Sequence, residues 1–191
     1  MSQPSGTEYT LDIASSSIFC RTPHICDPYE SFFVEVKPSK IIDAGQGLFA
    51  KIDIDVGTVI CFYNGVRVKS TNDLGEPSPY KMILDETTDI DIPENMTDLE
   101  NYSATLGHKV CHSFKPNADS EIFCHPRFGI IRCIVSIEII AAKEEIFINY
   151  GYSMPEAPTW YKLAWAKHQK TVRKIPDWKI GLKSSSQNIV T

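Results

Sequence analysis

The sequence lacks several features that would assign it to a particular class of protein. No apolar run approaches the roughly 20 residues that a membrane-spanning helix needs, so we expect no membrane segment. The opening residues, MSQPSGTEY, contain no basic or hydrophobic region, so we expect no secretory signal and an intracellular chain with reduced thiols. None of the six cysteines forms a C-x-x-C pair, which disfavours the common zinc-finger spacings.

Positive charge is scarce over most of the chain. Residues 1–161 carry 23 acidic and 12 basic side chains, which leaves −11, whereas the last 30 residues carry +6. Nucleic acids need a basic surface, so the acidic part disfavours a direct nucleic-acid partner and would attract a basic peptide instead. The densest acidic segment, 85–100, has seven acids and no base; on its own it is more typical of a solvated surface.

The remaining pattern consists mostly of short β segments, within 191 residues of which 42% are apolar. β-branched and aromatic runs alternate closely with Gly, Pro, Asn and Asp, which predicts a mainly β domain with small helical additions. The Asn-Gly of FYNGVRV predicts a hairpin at residues 64–65. Two helices are predicted, a short one near 98–109 and a clearer one within 155–174, which has prolines at its start.

Two Cys-His pairs, Cys111-His112 and Cys124-His125, raise the question of a metal or thiol site. Neighbouring residues on a strand point to opposite faces, so an adjacent pair rarely forms a catalytic dyad. Zinc needs four ligands, and the other cysteines do not cluster to complete a site. We therefore expect no metal and treat these cysteines as small apolar residues.

The segment AGQGLFAK and three tyrosines are weak signals when taken singly. Residues 44–51 predict a glycine-punctuated turn between strands, either a simple hairpin or a turn whose backbone approaches a ligand. They are not a dinucleotide-binding fingerprint, because no helical pattern follows. Tyr63, Tyr150 and Tyr152 lie at predicted strand ends, where any one tyrosine is usually an edge-packing residue.

Taken together, the order and spacing of these segments resemble the SET-domain family of protein lysine methyltransferases, from about Tyr9 to Lys170. The family's Asn-His-Ser, Pro-Asn and Glu-Glu-x-x-x-x-Tyr-Gly elements correspond to residues 111–113, 116–117 and 144–151. DPYES, AGQGLF, FYNGVR, LDETTDID, HPRFG and PEAPTWY are most similar to the histone H3 lysine 4 mono-methyltransferases whose SET domain follows MORN hairpin repeats. Those repeats are not in this sequence, and neither is the cysteine-rich zinc segment that follows many SET domains.

The resemblance implies a mainly β SET-domain β-clip fold with a C-terminal helix at Trp160. Segment 107–117 would thread past segment 145–151 as a pseudoknot. The implied organisation is a disordered N-terminus (1–8), an N-terminal flanking segment (9–30), the SET domain (31–151), a C-terminal flanking segment with a helix (152–178) and a disordered tail (179–191).

The implied function is S-adenosylmethionine-dependent methylation of a lysine in a basic tail, with histone H3 lysine 4 as the expected substrate. The implied partner is the histone H3 tail or another lysine-containing protein, without direct nucleic-acid or membrane binding. The implied location is the nucleus, at chromatin, with the cytoplasm as a second location. The resemblance assigns cofactor binding to Ala44, Gly45, Gln46, His108, Cys111, His112 and Trp160, catalysis to Tyr63 and Tyr150, and the substrate channel to Tyr63, Tyr150, Tyr152 and Ser120.

Several positions depart from the family pattern around the expected cofactor. Cys111 replaces the family's asparagine, Ser120 replaces a third active-site tyrosine, and Gln46 and Ala164 replace glutamates. Tyr80 and its neighbours stand where the family has a Gly-Asn pair in the wall of the cofactor site. Two interpretations therefore stay open: an active methyltransferase with altered cofactor affinity, and a catalytically weak SET domain that binds basic tails. A zinc or thiol site at the Cys-His pairs is a third.

Overall fold

The computed structural model describes residues 9–16, 19–70 and 78–172 of the chain. It divides into two compact units, residues 1–149 and residues 150–191. The loose ends predicted at 1–8 and 179–191 lie outside the described residues. The predicted division into flanking segments and a central domain remains a prediction.

Ten short strands and two helices make up the described elements, as the mainly β prediction requires. In chain order they are α1 (Pro28–Phe33), β1 (Val34–Pro38), β2 (Gln46–Ala50), β3 (Val59–Tyr63), β4 (Val66–Lys69), β5 (Met82–Ile83), β6 (Thr88–Asp91), β7 (Cys111–His112), β8 (Ala118–His125), β9 (Gly129–Ser136), β10 (Phe147–Ile148) and α2 (Thr159–Val172). Single 3₁₀ turns occur at Glu94–Met96 and Gly107–Lys109.

The strands form four small sheets in the first unit. Strands β1 and β2 form an antiparallel pair, and β7 pairs with β10 in parallel. Two three-stranded antiparallel sheets have the orders β3-β9-β8 and β4-β6-β5. These small sheets enclose two apolar clusters, one around Phe62, Tyr102 and Phe128 and the other around Leu48 and Ile134.

The hairpin predicted at Asn64-Gly65 is wrong. Strand β3 pairs with β9 and strand β4 pairs with β6, so these two residues carry the chain from one sheet to the other. A β-carbon on Gly65 would lie 2.5 Å from the backbone oxygen of Asp91. The glycine is therefore required by close packing on β6 and not by a two-residue turn.

The helix predictions have mixed outcomes. Helix α2 confirms the C-terminal helix over residues 159–172, whereas residues 98–109 form turns and one 3₁₀ turn instead of a short α-helix. Helix α1 was not predicted from the sequence. Its N-terminus is capped by the Asp27 carboxylate, which accepts from the Tyr29 and Glu30 amides, and Pro28 occupies its first turn. Neither helix in the described part of the chain is long and apolar enough to cross a bilayer.

Glu30 connects α1 to the centre of the first unit. Its side chain is almost wholly buried, and its two carboxylate oxygens accept hydrogen bonds from the backbone amides of Phe62 and Leu106. Burial raises its pKa well above the usual value. This one side chain therefore joins strand β3 to the segment that leads into Gly107–Lys109.

Replacing Glu30 with alanine is expected to lower the free energy of unfolding by about 2–4 kcal/mol, because two buried amides would lose their acceptors. Urea denaturation followed by circular dichroism measures this change. Glu35→Ala is the matched control, since the Glu35 side chain is 41% exposed and pairs with the similarly exposed Lys37; this change should lower the free energy of unfolding by less than about 1 kcal/mol. Equal effects of the two changes would contradict the role given to Glu30.

Candidate functional site

Two distant segments of the first unit meet at strands β7 and β10. Cys111 lies opposite Phe147, and His112 lies opposite Ile148, in a parallel register. The Ser113 amide extends the pairing by donating to the Ile148 carbonyl at 2.9 Å. Local pattern alone does not predict such pairing, because the two strands are two residues long and far apart in sequence.

The Asn117 side chain fixes this meeting point. Its carboxamide nitrogen donates to the Glu145 carbonyl at 2.9 Å, and its oxygen accepts from the Phe147 amide at 2.8 Å. The Glu145 carbonyl and the Phe147 amide thereby gain hydrogen-bond partners that the two-residue strand β10 does not provide. The contact that the resemblance implies between segments 107–117 and 145–151 is confirmed.

The connection between β1 and β2, together with the first two residues of β2, lies beside this meeting point; this segment, residues 39–47, is called the 39–47 turn below. It is closed by the Ser39 amide, which donates to the Gly45 carbonyl at 2.9 Å. Gly45 has a φ of 72°, a left-handed conformation that glycine adopts without strain. Ala44, Gly45 and Gln46 are exposed, so this part of the segment is accessible to a ligand.

Gln46 is bonded to the segment that precedes β7. The buried Lys109 ammonium donates to the Gln46 carboxamide oxygen at 2.7 Å, and the Cys111 thiol lies 3.5 Å from the Gln46 carbonyl oxygen. Burial lowers the pKa of Lys109. Sequence reasoning missed this lysine, because its burial depends on a segment more than 60 residues away.

Both histidines of the segment are neutral at pH 7. Burial, with the neighbouring Lys109 charge, lowers the pKa of His108 to about 4, and burial lowers the pKa of His112 to about 4 as well. The His108 Nε2 lies 3.2 Å from the Thr97 carbonyl oxygen, so the neutral ring donates there. The His112 ring packs edge-on against Phe114 at 4.3 Å.

Because His108 is neutral in the folded protein, we expect acid to destabilise the fold. Between its unfolded pKa of 6.5 and its folded pKa of about 4, the unfolded chain binds a proton at this ring and the folded chain does not. The free energy of unfolding should therefore fall by about 3 kcal/mol from this residue as the pH drops through that range. Urea titrations of the wild type and His108→Gln at pH 7 and pH 4.5 measure the difference. A variant that loses as much stability as the wild type would contradict this account.

Tyr63 and Ser120 lie on the same face of the β3-β9-β8 sheet. Tyr63 pairs with Arg132, which pairs with Ile122, and Ser120 lies two residues before Ile122 on β8. The two positions are separated by two strand spacings and two residues along the strand, about 12 Å. The Tyr63 hydroxyl donates to the Tyr80 carbonyl at 2.6 Å, which fixes the ring at the end of β3.

The second unit holds the other aromatic residues that the resemblance selects. Tyr150, Tyr152 and Trp160 contact one another edge to face, with ring centroids 6.1–6.2 Å apart. Tyr152 also contacts the buried Tyr161 at 5.2 Å. Trp160 is 47% exposed. Such an exposed cluster is the kind of surface on which a planar ring stacks.

The two Cys-His pairs have different surroundings. Cys111 is buried and Cys124 is exposed, and all six cysteines are free thiols. The buried His125 ring lies 3.1 Å from the Asp27 carboxylate and accepts from the Arg127 amide at its other nitrogen, so both of its nitrogens serve the fold. Across the residues that the structure describes, no group of three or more His, Cys, Asp or Glu side chains is arranged to hold a metal.

Comparisons with known proteins match this arrangement to one family. The SET domain family matches residues 45–151. The histone-lysine N-methyltransferase SETD7 of Halocynthia roretzi is 42% identical over 166 residues, which cover 81% of this chain and 43% of that protein. The chain therefore spans less than half the length of this relative.

Two solved structures are also similar to the chain. An active polycomb repressive complex 2 in the basal state contains a chain that is 24% identical, with a TM-score of 0.47, over 62% of this chain and 15% of its own length. A ctPRC2 structure in an autoinhibited conformation bound to S-adenosylmethionine contains one that is 22% identical, with a TM-score of 0.48, over 72% and 17%.

Proposed function

The chain belongs to the SET-domain family, and on that basis we propose that it is an S-adenosylmethionine-dependent protein-lysine N-methyltransferase. One observation carries the proposal furthest. The 39–47 turn and segment 108–112, which hold six of the seven residues that the resemblance assigns to the cofactor, are joined by the Lys109–Gln46 hydrogen bond of 2.7 Å. Two segments that are far apart in sequence thus form one surface.

The chemistry of this surface fits the amino-acid end of S-adenosylmethionine, which carries a carboxylate and an ammonium group. Lys109 is buried, and within the described residues its hydrogen-bond partner is the neutral Gln46 amide. An anion beside this ammonium would offset the cost of its burial. The exposed carbonyl groups of the 39–47 turn are suitable acceptors for the cofactor's ammonium group.

The bound cofactor supplies an electrophilic methyl group on a sulfonium, so the protein mainly has to align two reactants and exclude water. The accepting lysine must be neutral, because an ammonium has no lone pair. A buried, aromatic surrounding lowers the pKa of a lysine in that direction. Tyr63 suits such a wall, since its ring is buried and its hydroxyl is held by the Tyr80 carbonyl. We assign Tyr150 and Tyr152 to the same lysine, and Trp160 to the adenine, from the resemblance.

The proposed substrate is a lysine in a basic protein tail, with histone H3 lysine 4 as the first candidate. The SETD7 relative is a histone-lysine methyltransferase by name. The charge of −11 over residues 1–161 favours the approach of a basic tail and disfavours a direct nucleic-acid contact. A histone substrate would place the protein in the nucleus.

A catalytically weak SET domain that binds basic tails is the second candidate. It is favoured by Cys111, whose thiol stands 3.5 Å from the Gln46 carbonyl where the family has an asparagine. A thiol is a much weaker hydrogen-bond donor than a carboxamide. Gln46, Ala164 and Ser120 also differ from the family pattern, so several cofactor and channel contacts would be weakened together.

Methyl transfer to a histone H3 tail peptide, followed by mass spectrometry, distinguishes the two candidates. An active enzyme methylates the peptide, leaves the same peptide with arginine at position 4 unmodified, and loses most activity on Tyr150→Phe. The number of methyl groups added tests whether Ser120 leaves room for a more methylated lysine. A peptide that binds but is never methylated would support the binding module and contradict the enzyme.

A further inference from the structure

We propose that Glu145 is a positioning residue that holds the 39–47 turn in the shape required for cofactor binding. The inference rests on the proposed function and adds a residue that the resemblance does not assign to the site. Glu145 is the second acid of EEIFINY. It is 2% exposed, although nothing in the sequence distinguishes it from the exposed Glu144 beside it.

The Glu145 carboxylate binds the first two residues of the 39–47 turn. One oxygen accepts from the Ser39 hydroxyl at 2.6 Å, and the other accepts from the Lys40 amide at 2.8 Å. The backbone of Glu145 is also fixed, because it bridges to Phe49 on strand β2. One residue therefore holds both the beginning of the turn and the strand that follows it.

Gly47, the last residue of the turn, gives independent support. A β-carbon at this position would lie 2.3 Å from the Glu145 carboxylate oxygen and 3.3 Å from the Ser39 α-carbon. The turn therefore closes around the carboxylate so tightly that only glycine fits. The second glycine of AGQGLF is explained by this contact and not by a positive φ.

The hydrogen-bond network of Glu145 and Ser39 extends to the residues that we propose for cofactor binding. The Ser39 hydroxyl lies 3.7 Å from the Cys111 thiol, which in turn lies 3.5 Å from the Gln46 carbonyl oxygen. Ala44, Gly45 and Gln46 are exposed, so few packing contacts fix them. Their positions depend on the hydrogen bonds that anchor the turn at Ser39 and Lys40.

A purely structural role would have a different signature. If Glu145 only stabilised the fold, its replacement would lower the unfolding temperature and leave cofactor affinity of the folded protein unchanged. If it positions the turn, its replacement weakens cofactor binding at a temperature where the variant is fully folded. Glu144 provides a matched control, because its exposed carboxylate accepts only from the nearby Ala141 amide at 3.0 Å among the described residues.

Calorimetric titration with S-adenosylmethionine compares the wild type, Glu145→Gln and Glu144→Gln. The glutamine keeps the size of the side chain but removes its charge and one of its two acceptor oxygens, so the Ser39 hydroxyl and the Lys40 amide can no longer both donate to it. We expect Kd to rise about tenfold or more for Glu145→Gln and to change less than about twofold for Glu144→Gln. Ser39→Ala, which removes one of the two donors, is a milder variant and should show an intermediate rise.

A double change tests the contact itself. Gly47→Ala should weaken binding strongly in the wild type and much less in Glu145→Ala, because the group that the methyl would strike is gone. Hydrogen exchange without cofactor gives a second readout: the Lys40 amide should lose protection in Glu145→Gln and keep it in Glu144→Gln.

The outcomes separate this inference from the proposed function. If the wild type binds the cofactor and both Glu145→Gln and Ser39→Ala bind it with the wild-type Kd, the positioning role alone is overturned. A wild type that binds no cofactor at millimolar concentration would overturn the proposed function and this inference together.

Discussion

Replacing Gly107 with alanine is expected to lower the free energy of unfolding by about 3 kcal/mol. A β-carbon at this position would lie 2.5 Å from the Phe62 carbonyl oxygen and 3.1 Å from the Tyr63 β-carbon. Both partners belong to strand β3, which is buried along its whole length, so they cannot move aside. Segment 107–112 would have to shift away from the strand, and Lys109 would move with it.

Urea denaturation measures the loss of stability, and titration with S-adenosylmethionine measures the displacement of the site. Gly57→Ala is the control, since Gly57 has a φ of 78° but no atom within 4 Å of the added carbon. Gly57→Ala introduces backbone strain without a steric clash and should lower the free energy of unfolding by about 1 kcal/mol. If Gly107→Ala costs no more than Gly57→Ala, the close packing of this segment on β3 does not determine its position.

The second large effect is a gain in affinity for the cofactor. Cys111→Asn is expected to tighten S-adenosylmethionine binding by roughly tenfold, because a carboxamide provides a hydrogen bond of about 1–3 kcal/mol that the thiol cannot match. The two side chains are similar in volume. The buried thiol is now surrounded by acceptor atoms, with the Gln46 carbonyl oxygen at 3.5 Å and the Ser39 hydroxyl at 3.7 Å. Burial also raises the pKa of this thiol, so it stays protonated and a poor partner for a polar ligand.

Calorimetric titration of the two proteins checks this gain directly. Cys124→Asn is the matched control, because Cys124 belongs to the other Cys-His pair and is exposed on strand β8. We expect no change in cofactor affinity from it. An affinity that stays the same or falls in Cys111→Asn would show that this position no longer contacts the cofactor in this protein.

The β-branched and aromatic runs between Gly, Pro, Asn and Asp predicted a mainly β chain, because the composition of strands and turns is a local signal. Local patterns failed where neighbours distant in sequence decide the structure. Asn64-Gly65 has the composition of a hairpin turn, yet β3 and β4 find partners in different sheets. The six-residue α1 was missed because it depends on a single aspartate cap and a proline, within a run of residues that favours strands.

The site shows the same division. Ala44, Gly45, Gln46, His108, Cys111 and His112 are proposed for the site from the resemblance, which carries information about tertiary neighbours. The residues that hold these segments together, Lys109 and Glu145, were missed. Their charged side chains give no periodic signal, and their burial depends on segments more than 60 residues away, as the Lys109–Gln46 and Glu145–Ser39 hydrogen bonds show.

Calorimetric titration of the wild-type protein with S-adenosylmethionine tests the central claim most directly, since both catalysis and the proposed role of Glu145 require this ligand. The account predicts saturable one-to-one binding in the micromolar range. No binding at millimolar cofactor would contradict it. The chain would then be a SET domain whose function lies in binding basic tails.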